Sequence, residues 1–424
     1  DWSSDVCSSD LVKGVLFMGR NIIVGQSGGP TSVINSSLAG VFQAAKDLGA
    51  SKIYGMRNGI EGLLNEQYID MTDYLKCDMD VEILKRTPAA FLGSCRFKLP
   101  TVDKSPETYD RIIEVLRKLD IQHFFYIGGN DSMDTIKQLS EYAAAKNITD
   151  ITFMGVPKTI DNDLAVTDHT PGYGSAAKYI GTTIKELVRD AVVQPIDIVT
   201  IVEIMGRNAG WLAAAAALAK GDDCEGADLI YLPETVFDID KFLAKIEEVH
   251  KTKRQVLVAV SEGIKVADGS YVCEAAAANK AVDSFGHKSL GGTASTLASI
   301  VGDKFGWKTR PIEFSTIQRC ASHIGSLTDV NEAFLVGGQV VKAAFEGATG
   351  KVGIYVRVSN KPYMMNTDIY DVNAIANVEK TVPKEWIIND GTYVSQEALD
   401  YMSPLIQGEV MPYMVNGLPK HIKL

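Results

Sequence analysis

Short apolar runs alternate with stretches of helical spacing along most of this chain. Asn21–Gly25, His123–Ile127, Ile151–Val156, Asp197–Ile204 and Gln255–Val260 have the length and composition of strands. Ser36–Leu48, Tyr109–Leu119, Met133–Lys146, Ala176–Val193 and the alanine-rich Leu212–Leu218 read as helices. Continuous apolar runs belong to strands covered on both faces, and strands separated by helices pair in parallel through βαβ crossovers. The pattern therefore predicts the α/β class, with parallel-rich sheets. In open sheets of this class ligands bind beyond the carboxyl ends of the strands. The loops after Gly25, Ile127, Val156 and Val260 are then the places to look for chemistry.

The chain has 424 residues. Asp1–Leu11 (DWSSDVCSSDL) matches a translated frame of sequencing-adapter DNA, and Lys13-Gly14-Val15 can be encoded by a bacterial ribosome-binding sequence upstream of Met18. Residues 1–17 are expected to be a non-native leader, with Met18 the native start. The remainder is long enough for two or three domains, and 46% hydrophobic with 22% charged residues suits a globular enzyme. Net charge is −11; the leader's three Asp and one Lys account for −2, leaving −9. That balance argues against a nucleic-acid partner, and any anionic ligand must be met by local Arg and Lys. Beyond Cys7, the five cysteines Cys77, Cys95, Cys224, Cys273 and Cys320 show no C-x-x-C spacing, which points to reduced thiols in a cytoplasm. No apolar run approaches the length of a membrane span, and the six His show no metal-binding spacing.

Two segments carry most of the chemistry. In Gly128-Gly129-Asn130-Asp131-Ser132, a double glycine follows a strand and precedes a helix, so backbone N–H groups can approach phosphate oxygens closely. An acidic side chain there can hold Mg²⁺ that bridges phosphates, while Asp131 or Ser132 as helix N-cap is the plain structural alternative. Pro157–Asp163 places Lys158, Thr159, Asp161 and Asp163 within one turn. A structural account needs only one of these as a cap. Phosphoryl transfer uses all of them: a lysine for charge, a hydroxyl for a phosphate oxygen, one Asp as base and another near the metal.

Other candidates are weaker alone. Gly28, in Gly25–Thr31, sits in a turn that could equally be a simple strand-to-helix connection. Arg207, in Met205-Gly206-Arg207, is placed to clamp an anion or to make a surface ion pair. Arg96, Arg310 and Arg319 are further anion candidates, and Glu262 can accept from sugar hydroxyls or cap a helix.

These residues resemble the phosphofructokinase family, specifically its pyrophosphate-dependent branch, over nearly the whole chain from Met18. The GG-N-D-S loop, the P-K-T-I-D-N-D loop, the M-G-R turn and a Q-R pair all occur, in order. The resemblance implies a two-lobed enzyme of Rossmann-like halves with the active site in the cleft. Residues 18–173 with about 319–370 would form the phosphoryl-donor lobe, and 174–318 with about 371–424 the sugar-phosphate lobe. It implies phosphoryl transfer from pyrophosphate to fructose 6-phosphate, with Mg²⁺, in a homodimer or homotetramer.

Residue by residue, it implies donor-phosphate contacts at Gly28, Arg96, Gly129, Asn130, Asp131 and Ser132, and metal contacts at Asp131 and Asp163. Asp161 would be the base on the sugar 1-hydroxyl, with Lys158, Thr159 and Arg207 beside it. Met205, Gly206, Arg207, Glu262, Arg310 and Arg319 would hold the sugar phosphate, one such Arg arriving from a neighbouring subunit in related enzymes. ATP-using relatives carry glycine at the positions of Asp131 and Lys158, so this pair implies pyrophosphate as donor. Three positions depart from family patterns. Asn130 stands where many members have Asp, Thr316 where ATP-using members have His, and Ile198 where some have an interface Arg. The rival readings are an ATP-dependent 6-phosphofructokinase and a non-catalytic regulatory subunit.

Overall fold

A computed structural model describes residues 20–193, 195–276 and 291–424. The expected leader 1–17 and the Met18 start lie outside the described residues. The first sheet draws on β1 (Asn21–Gln26), β2 (Lys52–Met56), β3 (Tyr68–Asp70), β4 (Ile121–Gly128) and β5 (Thr152–Pro157). The chain then builds a second sheet from β6 (Ile198–Ile204), β7 (Leu229–Tyr231), β8 (Gln255–Ser261) and β9 (Lys308–Glu313). It returns to the first with β10 (Lys351–Asn360) and β11 (Tyr363–Asp371).

The first sheet runs β11-β10-β5-β4-β1-β2-β3, and its five central strands are parallel. Its edges, β2–β3 and β10–β11, are antiparallel. The second sheet, β7-β8-β6-β9, is parallel throughout. The apolar runs explain the layering. Along β4 the side chains alternate between two cores: Phe124 and Tyr126 pack with the helices Pro106–Lys118 and Asn130–Ala145, Phe125 and Ile127 with the helix Ile34–Asp47. In the second sheet, Val199 and Ile201 face one core while Val202 and Ile204 face the alanine run.

Strand order reverses between β1 and β4, since β2 lies beyond β1 and β5 beyond β4. This is the position at which two loops leave in opposite directions and open a crevice. The Ser27 N–H donates to the Ile127 carbonyl at 2.9 Å and holds the two loop roots together.

Two local expectations differ from the structure. The run Leu212–Leu218 is not one α-helix: a turn of α-helix (Trp211–Ala214) passes into a 3₁₀ segment (Ala215–Ala219). The long helix Tyr173–Ala191 packs closely on it: a Cβ at Gly181 would lie 3.2 Å from the Leu218 Cβ. The helix expected from Met133 begins at Asn130, with Gly129 as its N-cap and no side-chain cap bond, so neither Asp131 nor Ser132 caps it. No helix among the described residues is long and apolar enough to cross a membrane.

Candidate active site

The carboxyl ends of β1, β4 and β5 meet those of β6 and β8 around two adjoining cavities. One, of about 260 Å³, reaches Met205, Arg207 and Glu262. The other, of about 550 Å³, reaches Gly28, Gly129, Asn130, Asp131 and Ser132. Arg96, Lys158, Thr159, Asp161 and Asp163 line both. The second cavity is thus built mainly by the loops of the first sheet, with Asn377 and Glu379 from the chain beyond β11, whereas the first opens onto the second sheet.

Glycines let the cations in. Gly28 has φ +75°, a conformation costly for other residues, and a Cβ there would stand 3.3 Å from the Lys158 Nζ. At Gly29 a Cβ would stand 3.0 Å from an Arg319 guanidinium nitrogen. The Lys158 ammonium is buried and donates to the Gly29 carbonyl at 2.7 Å. The Gly28 N–H donates to the Cys95 carbonyl at 3.2 Å, and the Ser94 hydroxyl to the Gly28 carbonyl at 2.6 Å. These bonds fasten the Arg96 segment to the glycine turn.

On the opposite wall, Gly206 has φ +135°, and a Cβ there would meet the Ala209 carbonyl oxygen at 2.6 Å. The Ser261 hydroxyl donates to the Gly206 carbonyl, and the Gly206 N–H donates to Glu262 at 3.4 Å. The β6 and β8 loops therefore set Arg207 and Glu262 as one unit.

The Lys158–Asp163 turn lies between these walls. The Asp161 N–H donates to the Thr159 hydroxyl at 3.0 Å, and the Lys158 N–H to the Gly128 carbonyl at 2.9 Å. Asn162 adopts φ +54°, in the left-handed region that Asn tolerates better than most residues. Burial pushes the Asp161 carboxyl up to about 6, reinforced by the Glu262 charge and opposed by Lys158 and Arg207. Asp163 is pushed up to about 7, first by burial and then by Asp161. Burial pushes Lys158 down to about 8, with the two aspartates resisting. A carboxylate with such a pKa is a competent base near neutral pH.

Of the buried side-chain atoms without a hydrogen-bond partner among the described residues, three lie in this cleft: Oδ1 of Asp163 and both Oδ1 and Nδ2 of Asn130. Both residues line the second cavity. Polar atoms left unsatisfied at a cavity wall mark where a ligand would supply the missing partners.

Nearly all the expected site residues converge on this cleft. Gly206 forms the turn beneath Arg207, and Arg319 lines the first cavity. Arg310 lies outside both cavities: it sits on β9 opposite Thr200, and its guanidinium pairs with Asp190 at 2.5 Å. Sequence reading missed Glu379, which lines both cavities and accepts from the Asn208 amide at 3.1 Å. It also missed Asn377, on the second cavity wall. No motif marks either, because they follow β11, far along the chain from the loops they face.

Glycine turns, buried carboxylates and the arginines Arg96, Arg207 and Arg319 thus gather where the two α/β sheets meet. The family model described as Phosphofructokinase matches residues 21–312, and the chain belongs to the phosphofructokinase family. It is 39% identical over 409 residues to the protein named Pyrophosphate--fructose 6-phosphate 1-phosphotransferase of Halomonas elongata, covering 96% of each chain. The Xanthomonas campestris protein of the same name is 40% identical over 407 residues, covering 95% of this chain and 96% of that one. The solved structure of a pyrophosphate-dependent phosphofructokinase from Nitrosospira multiformis superimposes with a TM-score of 0.85 at 36% identity, covering 95% of this chain and 96% of that chain.

Proposed function

We propose that the chain transfers a phosphoryl group from pyrophosphate to the 1-hydroxyl of fructose 6-phosphate, reversibly, giving fructose 1,6-bisphosphate and phosphate. The observation that carries this reading is the shared wall of the two cavities: Lys158, Thr159 and Asp161 face the donor side and the acceptor side at once. The Asp161 carboxylate takes the proton of the sugar hydroxyl as its oxygen attacks the terminal phosphorus. The bridging P–O bond breaks and phosphate leaves. Arg207 and Arg96 line the acceptor cavity, where developing charge needs stabilising, and Arg319 is ready for the substrate phosphate. Lys158 holds the donor against the glycine turn.

Mg²⁺ suits the residues present. Asp163 and Asn130 offer unsatisfied oxygens, and Asp131 adds a carboxylate on the same cavity. Among the described residues no group of three or more His, Cys, Asp and Glu is arranged to hold a metal, which is compatible with an ion bound through one or two carboxylates plus substrate phosphates. When bound near these residues, Mg²⁺ would neutralise phosphate charge and make the transferred group more open to attack.

A homodimer or homotetramer is part of the reading, with Arg310 serving the sugar-phosphate site of a neighbouring copy. Its position outside this chain's own cavities supports that assignment. Free Cys77, Cys95, Cys224, Cys273 and Cys320 support a reducing compartment such as the cytoplasm.

The test is fructose 1,6-bisphosphate formation with Mg²⁺ and either pyrophosphate or ATP. Turnover with pyrophosphate alone is expected. Turnover with ATP alone would overturn the donor assignment, and turnover with neither, in folded protein, would favour a regulatory subunit. The pH profile of kcat/KM should be bell-shaped. Activity needs the base ionised, so it falls as pH drops through about 6 to 7, the range of the aspartate pair. It needs Lys158 protonated, so it falls again as pH rises through about 8. A flat profile from pH 5 to 9 would contradict both assignments.

A further inference from the structure

The two aspartates of the catalytic turn are separated by one residue, Asn162, whose side chain is fully buried. Its amide donates to the Tyr401 hydroxyl at 2.8 Å. That hydroxyl in turn donates to the Asp168 carbonyl at 2.6 Å, so the phenol accepts from one end of the loop and donates to the other. The Thr170 hydroxyl donates to the Thr159 carbonyl at 2.7 Å and closes the loop at its base. Tyr401 comes from the helix Gln396–Met402, remote in sequence from the turn.

The phenol is itself held rigidly. Arg357 lies over its ring, 4.6 Å from the centroid, and donates to the Tyr401 carbonyl at 3.0 Å. The same guanidinium pairs with Asp168 at 2.9 Å. The Trp211 and Trp386 rings stand 5.2 Å and 5.5 Å from the Tyr401 ring. Tyr401 lines neither cavity, so it does not meet a substrate. What it fixes is the orientation of Asn162, the residue whose left-handed backbone directs its two neighbours.

We propose that Tyr401 is a positioning residue for phosphoryl transfer, setting the aim of Asp161 and Asp163 through its hydrogen bond to Asn162. The inference rests on the phosphotransferase reading above. Removing the hydroxyl leaves a buried amide short of a partner, while the Asp168 carbonyl keeps the Lys380 ammonium at 2.7 Å. The turn is thus loosened at its centre, where Asn162 keeps only the Thr170 hydroxyl at 3.5 Å, and not at its end. A displacement of the base by about 1 Å can cost roughly 100-fold in rate without any loss of contact to substrate.

The experiment is a double-mutant cycle with Tyr401→Phe and Asn162→Gly, the glycine keeping the left-handed backbone accessible. Steady-state kinetics with pyrophosphate and fructose 6-phosphate are read beside thermal unfolding. Each single change is expected to lower kcat by about tenfold or more, with both KM values within about twofold. The double variant should be no slower than the slower single one. Multiplying effects would overturn the inference, as would unchanged kcat in either folded single variant. Where Tyr401→Phe lowers thermal stability, kcat per folded molecule at low temperature decides: restoration to the wild-type value means a structural role and overturns it. A wild-type protein inactive with pyrophosphate would instead overturn the functional reading itself, and the two failures are told apart by that first assay.

Discussion

Asp161→Asn is expected to lower kcat by about 10³-fold, within the range removed with a general base, while fructose 6-phosphate still binds. The amide keeps the size of the side chain and the Thr159 contact at the backbone, but it cannot take the hydroxyl proton. Glu262 and Asp163 are not expected to replace it: Glu262 lines only the first cavity, and Asp163, pushed up to about 7, is the weaker candidate to be ionised at neutral pH. The same change should raise Tm near neutral pH. The native aspartate pair binds more protons than the unfolded chain between about pH 4 and pH 7, because both folded pKa values are raised. Stability contributed by this pair therefore falls as pH rises through that window, and removing one carboxylate relieves it. Turnover and differential unfolding, measured together, check both halves. Unchanged turnover would remove Asp161 from its role, and a lower Tm would contradict the electrostatics.

The second large effect concerns the donor. Asp131 lies in the first helical turn after the double glycine, on the wall of the second cavity. A nucleotide would bring its α-phosphate toward this wall. Two unit charges about 4 Å apart interact by about 4 kcal/mol at an effective dielectric near 20, a factor of about 10³. Asp131→Gly with Lys158→Gly is expected to lower kcat/KM for pyrophosphate by about that factor and to allow turnover with ATP. Lys158 is buried and anchors the Gly29 carbonyl, so its loss also loosens the glycine turn. Asp131→Gly alone, at a half-buried position, is the cleaner test of ATP entry. Pyrophosphate kinetics that survive both changes would end the donor argument.

The sequence revealed the parts of this protein whose physics is local. A covered strand such as β4 must be apolar at every position, so its run stands out, and the loop at its end follows. β10 and β11 were not anticipated, because their outer halves alternate exposed and half-buried residues and mix Val358, Met364 and Tyr370 with Asn366 and Asp368. The helix at Asn130 starts three residues before the expected Met133, since its first turn, Asn130–Ser132, is polar and breaks the apolar spacing that marks the rest. Glu379 and Tyr401 carried no signal at all. Their roles depend on which loop they meet in space, and a single sequence records no pairing between residues more than two hundred positions apart.

The strand that leads into the Lys158–Asp163 turn has a late neighbour. β5 pairs on one side with β4, made just before it, but on the other with β10, where Met154 meets Lys351 and Gly155 meets Val352. A ribosome adding residues from the amino end must therefore complete the second sheet while β5 still presents an open edge. Such an edge is where nascent chains pair wrongly or recruit chaperones. The segment that finally covers it also brings Glu379 and then Tyr401 to the turn, so the turn meets its last partners among the final events of synthesis. A chain cut short before β10 would leave that edge uncovered and the turn without its distant partners.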